Sequence, residues 1–248
     1  MTRFSIPFLL LTLLAAPAHA TDEIQPPSEV VVFGDSQAQG LAAGLQRALR
    51  HMRGWKVDNR TKPGTAITQD HTYDWQAVIA AYKPDEHVTT AVLMFGGNDR
   101  MPIHPASGGV MRFRTPAWQT EYRARVAAIL HTLSADKLRI IWVSDPICRD
   151  DVYSADMDYL NGLYKDVVAR TGATYFDIWT AVADPSGKFI AYGPALDGTT
   201  QRLRLDDGIH FTPTGYDILA AKVLQLMTAP APKLEKSAKA EYAKGAVN

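Results

Sequence analysis

The sequence has a single cysteine, Cys148, so it can form no intramolecular disulfide and offers no thiolate pair for zinc. A chain of 248 residues can bury a core without covalent staples, and Cys148 is expected to be buried or shielded. Charge of one sign is not in excess: Lys plus Arg and Asp plus Glu are 26 each. The basic surplus that nucleic-acid or anionic-membrane binding requires is missing, and no nucleic-acid partner is expected. Metal-ligand spacings such as His-x-Asp and His-Glu-x-x-His are also absent, and the seven histidines are scattered. Neither a metal nor another cofactor is therefore expected. No internal repeat is visible.

Long apolar runs are lacking too. Phe4 to Ala16 falls short of the ~20 residues of a spanning helix, but it follows Arg3 and precedes Ala18-His19-Ala20, a small-x-small cleavage pattern. Residues 1–20 are expected to be a secretory signal peptide cut after Ala20. The mature protein would be periplasmic or secreted, without stable membrane insertion. Residues 21–29, with Pro26-Pro27, read as an extended lead-in. Residues 229–248, with Pro230, Pro232 and a Lys/Ala-rich stretch, read as a disordered or weakly helical tail. The folded domain is expected over residues 30–228.

Within it, apolar runs alternate with helical patterns. The spacing predicts strands at Val30–Phe33, Trp55–Asn59, Val88–Phe95, Leu138–Val143 and Thr174–Asp177. Helical spacing links Trp118, Tyr122, Val126 and Leu133, and again Met157, Leu160 and Val167. Thr212-Pro213 marks the start of a last helix, with Thr as cap and Pro at the first helical position. Alternating strands and helices imply a three-layer α/β/α sandwich around a parallel sheet of about five strands. Ligands of such sheets bind beyond the carboxyl ends of the strands. That selects the loops 34–37, 60–66, 96–116, 144–153 and 197–211.

Three of these loops carry candidate chemistry. Val30-Val31-Val32-Phe33 runs into Gly34-Asp35-Ser36, where a helix begins. A serine there is placed for nucleophilic attack beside helix N-terminal N–H groups, although this stretch taken alone favours the commoner reading, a helix N-cap. Gly96-Gly97-Asn98-Asp99 follows the third strand, and Asn98 can donate an amide hydrogen there; the same residues also make good turns. Asp207-Gly208-Ile209-His210 places a carboxylate three residues before an imidazole, the pairing that a serine nucleophile requires of its general base.

Taken in order, Gly34-Asp35-Ser36, Gly64 in Arg60-Thr61-Lys62-Pro63-Gly64-Thr65, Gly96-Gly97-Asn98-Asp99 and Asp207-Gly208-Ile209-His210 resemble the sequence blocks of the SGNH (GDSL-type) hydrolases. The resemblance spans about Val30 to Met227 and looks most like an exported bacterial branch catalogued as a domain of unknown function. It implies an SGNH/flavodoxin-like fold and a serine esterase. Ser36 would be the nucleophile, His210 the general base and acid, and Asp207 its orienting carboxylate. The Ser36 N–H, the Gly64 N–H and the Asn98 side chain would form the oxyanion hole. Asp35 would hold the turn. Gln37 departs from the GDSL wording, which has Leu. Asp206, next to Asp207, leaves the choice of carboxylate to geometry.

The segment 101–116 is long for a loop and is expected to be a lid or substrate wall. Arginines crowd the same edge: Arg100, Arg112, Arg114, Arg149, Arg202 and Arg204. Arg100, Arg149 and Arg204 are candidates for holding a polar or anionic acyl ester, such as an acylated envelope glycan; the alternative is that they pair with loop aspartates. Rival functions are an O-acyltransferase with the same triad, a metal-dependent phosphoesterase and a non-catalytic glycan-binding module.

Overall fold

The computed structural model of the protein describes residues 28–229. The expected signal peptide, residues 21–27 of the lead-in and the tail beyond residue 229 lie outside the described residues. Five strands form one parallel sheet: β1 (Ser28–Gly34), β2 (Trp55–Thr61), β3 (Val88–Met94), β4 (Arg139–Val143) and β5 (Thr174–Phe176). Their order is β2-β1-β3-β4-β5, the flavodoxin-like arrangement.

β1 lies inside the sheet, between β2 and β3, and Val30 to Phe33 are accordingly apolar on both faces. Val31 and Phe33 pack under the helices α2 (Trp75–Ala81), α3 (Pro116–Ala135) and α4 (Asp151–Val168). Val30 and Val32 pack on the other face under α1 (Ser36–Leu49) and α5 (Pro213–Thr228). All four are fully buried, and each such side chain contributes about 1.5–3 kcal/mol. The three layers are those the alternation of strands and helices predicts. Among the described residues, no helix is long and apolar enough to cross a membrane.

Four features differ from the expectation. Ser28 and Glu29 belong to β1 rather than to a lead-in, pairing in register with Trp55 and Lys56 of β2; they are polar because this end of the strand reaches solvent. α2 has only seven residues, too few to show a helical period, and is fixed by Asp74 accepting the Ala77 N–H. A two-stranded antiparallel hairpin, β6 (Tyr192–Pro194) and β7 (Thr200–Arg202), precedes the His210 loop. The segment 101–116 is not an open loop. Backbone bonds between Ile103 and Met111 close it, and the Trp118 indole N–H donates to the Met101 carbonyl at 2.9 Å.

Candidate active site

The site is built on the turn between β1 and α1. Gly34 has φ +142°, and a side chain there would overlap the Met94 carbonyl oxygen, so only glycine permits the turn. Asp35 caps α1 by accepting the Gln37 N–H at 2.9 Å. Ser36 is therefore the first helical residue and not the cap. Its N–H has no intrahelical acceptor at that position.

The Ser36 hydroxyl lies 2.8 Å from His210 Nε2. His210 Nδ1 lies 2.7 Å from Asp207 Oδ2. The other Asp207 oxygen accepts the N–H groups of Ile209 and His210, at 2.8 and 3.0 Å. Burial raises the Asp207 pKa, but the bonds from the Ile209 N–H, the His210 ring and the His210 N–H outweigh it and hold the carboxyl below its ordinary range. A carboxylate at Nδ1 fixes the proton there and leaves the Nε2 lone pair for the hydroxyl of Ser36. Asp206 is turned away: its side chain takes the Arg202 guanidinium and its carbonyl accepts from Arg149 Nη1 at 2.6 Å. The geometry thus selects Asp207 over Asp206 as the partner of His210.

Asn98 follows β3. Its Nδ2 donates one hydrogen to the Thr65 carbonyl at 3.0 Å and retains a second. That bond ties the loops after β2 and β3 together. Thr65 is itself anchored, donating to the Lys62 carbonyl at 2.6 Å and accepting the Trp75 indole N–H at 3.0 Å. Gly64, at φ +73°, completes the turn. Gly64, Gly97 and Asn98 border a cleft of about 510 Å³, whose far wall is Gln69, Arg100, Met101, Phe113 and Asp156. Met101 and Phe113 come from the 101–116 segment, which is thus a wall of the cleft.

The arginines divide. Arg100 lines the cleft, but its guanidinium pairs with Asp156 at 3.2 Å and stacks over the Tyr153 ring. Asp156 also holds Arg114 at 2.7 Å. Arg149 braces the loop before His210 through Asp206. Arg204 does not face the cleft: it is fully buried, lies over the rings of Phe189 and Phe211, and donates to the Ile209 carbonyl at 2.9 Å. Strand-end position alone suggested a substrate contact, whereas the neighbouring aromatic rings draw this side chain inward.

Under the turn lie three buried carboxyls: Asp35, Asp99 and Asp145. Burial pushes Asp35 up to about 7 and Asp99 up to about 6, and raises Asp145 well above the carboxylate range. Among the described residues, no group of three His, Cys, Asp or Glu side chains is arranged to hold a metal ion. Gln69, Asp145 and Asp156 do not stand out in the sequence. Asp145, in the loop after β4, was accessible to the strand-end rule; Asp156 sits within a helix and carries no such signal.

The sheet order, with the serine after β1, the glycine and asparagine after β2 and β3, and the Asp-x-x-His loop before the last helix, is that of the SGNH (GDSL-type) hydrolase fold. The chain belongs to the family described as "Protein of unknown function (DUF459)", which it matches over residues 29–226. No curated protein matches the chain by sequence. Among solved structures it is similar to a member of the lipolytic protein G-D-S-L family from Veillonella parvula DSM 2008, with TM-score 0.57 and 19% identity over 81% of this chain and 98% of that one. A GDSL-like lipase from Bacteroides thetaiotaomicron VPI-5482 gives TM-score 0.56 and 15% identity over 81% and 88% of the two chains. An acetylxylan esterase from Geobacillus stearothermophilus, solved as a catalytic mutant, gives TM-score 0.52 and 17% identity over 86% and 99%. At these identities the likeness is one of fold.

Proposed function

We propose that the protein is an exported serine esterase that removes acyl groups from a polar, hydroxyl-rich carrier such as an envelope glycan. The observation that carries this reading is the continuous line of contacts from the Ser36 hydroxyl through His210 to Asp207. Ser36 Oγ attacks the ester carbonyl while His210 Nε2 takes its proton, and Asp207 stabilises the resulting imidazolium. The oxyanion accepts from the Ser36 N–H, the Gly64 N–H and the free amide hydrogen of Asn98. His210 then returns the proton to the leaving alcohol, and water releases the acyl group from Ser36 by the same steps.

The cleft beside Asn98 supports a polar substrate. Gln69, Arg100 and Asp156 supply hydrogen-bonding groups, and Phe113 gives an apolar face on which a sugar ring can rest. Arg100 shares Asp156 with Arg114, so its charge is offset only in part, which suits a polar substrate, hydroxylated or anionic. The sequence signals in residues 1–20 support export.

The test is hydrolysis of a chromogenic acetyl ester by wild type and Ser36→Ala, with and without an added oligosaccharide. Release of acetate that Ser36→Ala lacks supports the esterase. Transfer of acetyl to the oligosaccharide in preference to water would make the protein an O-acyltransferase with the same site. No turnover of short acyl esters in either mode would overturn the proposal.

A further inference from the structure

His210 must meet Ser36 across a gap in the chain of 174 residues, so something has to hold its loop against the start of α1. The Ile209 carbonyl, one residue before His210, receives two donors. Gln37 Nε2 donates to it at 2.8 Å, and Arg204 Nη2 at 2.9 Å. A carbonyl has two lone pairs, and both are thereby used. Because a carbonyl can only accept, the end of Gln37 facing Ile209 is its amide nitrogen. The other end accepts the Tyr216 hydroxyl of α5 at 2.9 Å, so the amide is held at both ends.

The supporting groups are built in. Gln37 is buried although polar. The Tyr216 ring reaches it only because Gly40, one turn further along α1, has no side chain in the ring's place. Arg204 is fully buried among Phe189, Phe211 and the Cys148 thiol, and its Nε and Nη1 make no regular hydrogen bond. A guanidinium kept out of water in that state needs a compensating role, and two loop carbonyls, Ile209 and the more distant Gly208 at 3.4 Å, supply one. The Ile209 side chain, half-buried, packs against the core. Gln37 also stands where the GDSL wording has Leu, which cannot donate to a carbonyl.

We propose that Gln37 and Arg204, by donating together to the Ile209 carbonyl, are positioning residues that set the approach of His210 to Ser36. The inference rests on Ser36 being the nucleophile. Gln37 directly follows that nucleophile, so the bond couples the serine turn to the histidine loop without touching the substrate.

The experiment is the rate and final extent of labelling by a fluorophosphonate probe for wild type, Gln37→Leu and Gln37→Glu, each followed from pH 5 to 9, with thermal melting in parallel. Gln37→Leu is expected to label to full occupancy at a rate about ten- to a hundredfold lower, and to turn over an acetyl ester with reduced kcat and unchanged KM. Full occupancy at a lower rate marks positioning, whereas partial occupancy at the wild-type rate marks only a misfolded fraction and overturns the proposal. Gln37→Glu can donate only while its carboxyl is protonated, so its rate relative to wild type is expected to fall as pH rises. If Gln37→Leu does not fold, Gln37→Glu decides: a ratio near one at every pH overturns the clamp. Gln37→Leu labelling within twofold of wild type also overturns it while leaving the esterase reading intact. A wild type that does not label at all overturns both.

Discussion

Asp35 accepts the Gln37 N–H at 2.9 Å and caps the helix that Ser36 begins. The cap satisfies one of the helix's orphan donors with a carboxyl oxygen, so the Ser36 hydroxyl is not needed there and lies against His210 instead. The carboxyl does this while fully buried near Asp99 and Asp145, and that location gives it a pH-dependent energy.

Burial raises Asp35 to about 7 and Asp99 to about 6, from a value of 3.8. The folded protein therefore binds more protons than the unfolded chain between those limits, and stability falls as pH rises through that window. Asn caps helices as well as Asp does but does not titrate. Asp35→Asn is expected to flatten the fall in Tm between pH 5 and 8 and to melt several degrees above wild type at pH 8; about 1 kcal/mol corresponds to roughly 2–4 °C at this domain size. Melting curves by circular dichroism check it, and an unchanged slope would contradict the assignment.

Asn98 uses one amide hydrogen on Thr65 and has a second left, which the proposed mechanism gives to the oxyanion. Asn98→Ala is expected to lower kcat for an acetyl ester by about 10²–10³-fold. Because the same change loosens the bond to the Thr65 loop, Asn98→Asp is the sharper comparison: it matches the shape but puts an acceptor where a donor is needed. Steady-state kinetics should show activity no higher in Asn98→Asp than in Asn98→Ala.

Gly40→Ala sets two effects against each other. Alanine favours a helix over glycine by about 1 kcal/mol, but here the added carbon would overlap the Tyr216 ring. Overpacking typically costs about 1–3 kcal/mol, so the clash is expected to win. Denaturant unfolding should show a net loss of stability, and a gain would mean that α5 is free to move away.

Cys148 is 2% exposed, and burial pushes its thiol up to about 12. The native protein is expected to resist a thiol-specific disulfide reagent at pH 8 and to react with one equivalent after denaturation. Rapid modification of the native state, followed by absorbance, would show that the loop after β4 opens.

Much of this was legible in the sequence because burial writes itself into residue type. Val30 to Phe33 read as a buried strand, and Thr212-Pro213 as the start of a helix; the structure has β1 inside the sheet, paired on both sides, and Thr212 accepting the Gly215 N–H. Ser36, Asn98 and His210 could be assigned to one edge by the rule for parallel sheets. What the sequence withheld was direction. Nothing in the order of residues distinguishes an arginine that faces a cleft from one drawn under two phenylalanines, so Arg204 looked like Arg100. Gln37 was silent for the same reason, since its partners lie more than 170 residues away. The choice between Asp206 and Asp207 also needed coordinates, because both are acidic, adjacent and exposed.

In the proposed mechanism Ser36 is a nucleophile activated by His210. The most direct test of this is the intact mass and peptide map of the protein after reaction with a fluorophosphonate, for wild type, Ser36→Ala and His210→Ala. A single adduct is expected on the peptide containing Ser36 in wild type, none in Ser36→Ala, and labelling slowed by about 10⁴-fold or more in His210→Ala. An adduct on any other residue, or equal labelling of Ser36→Ala, would contradict it.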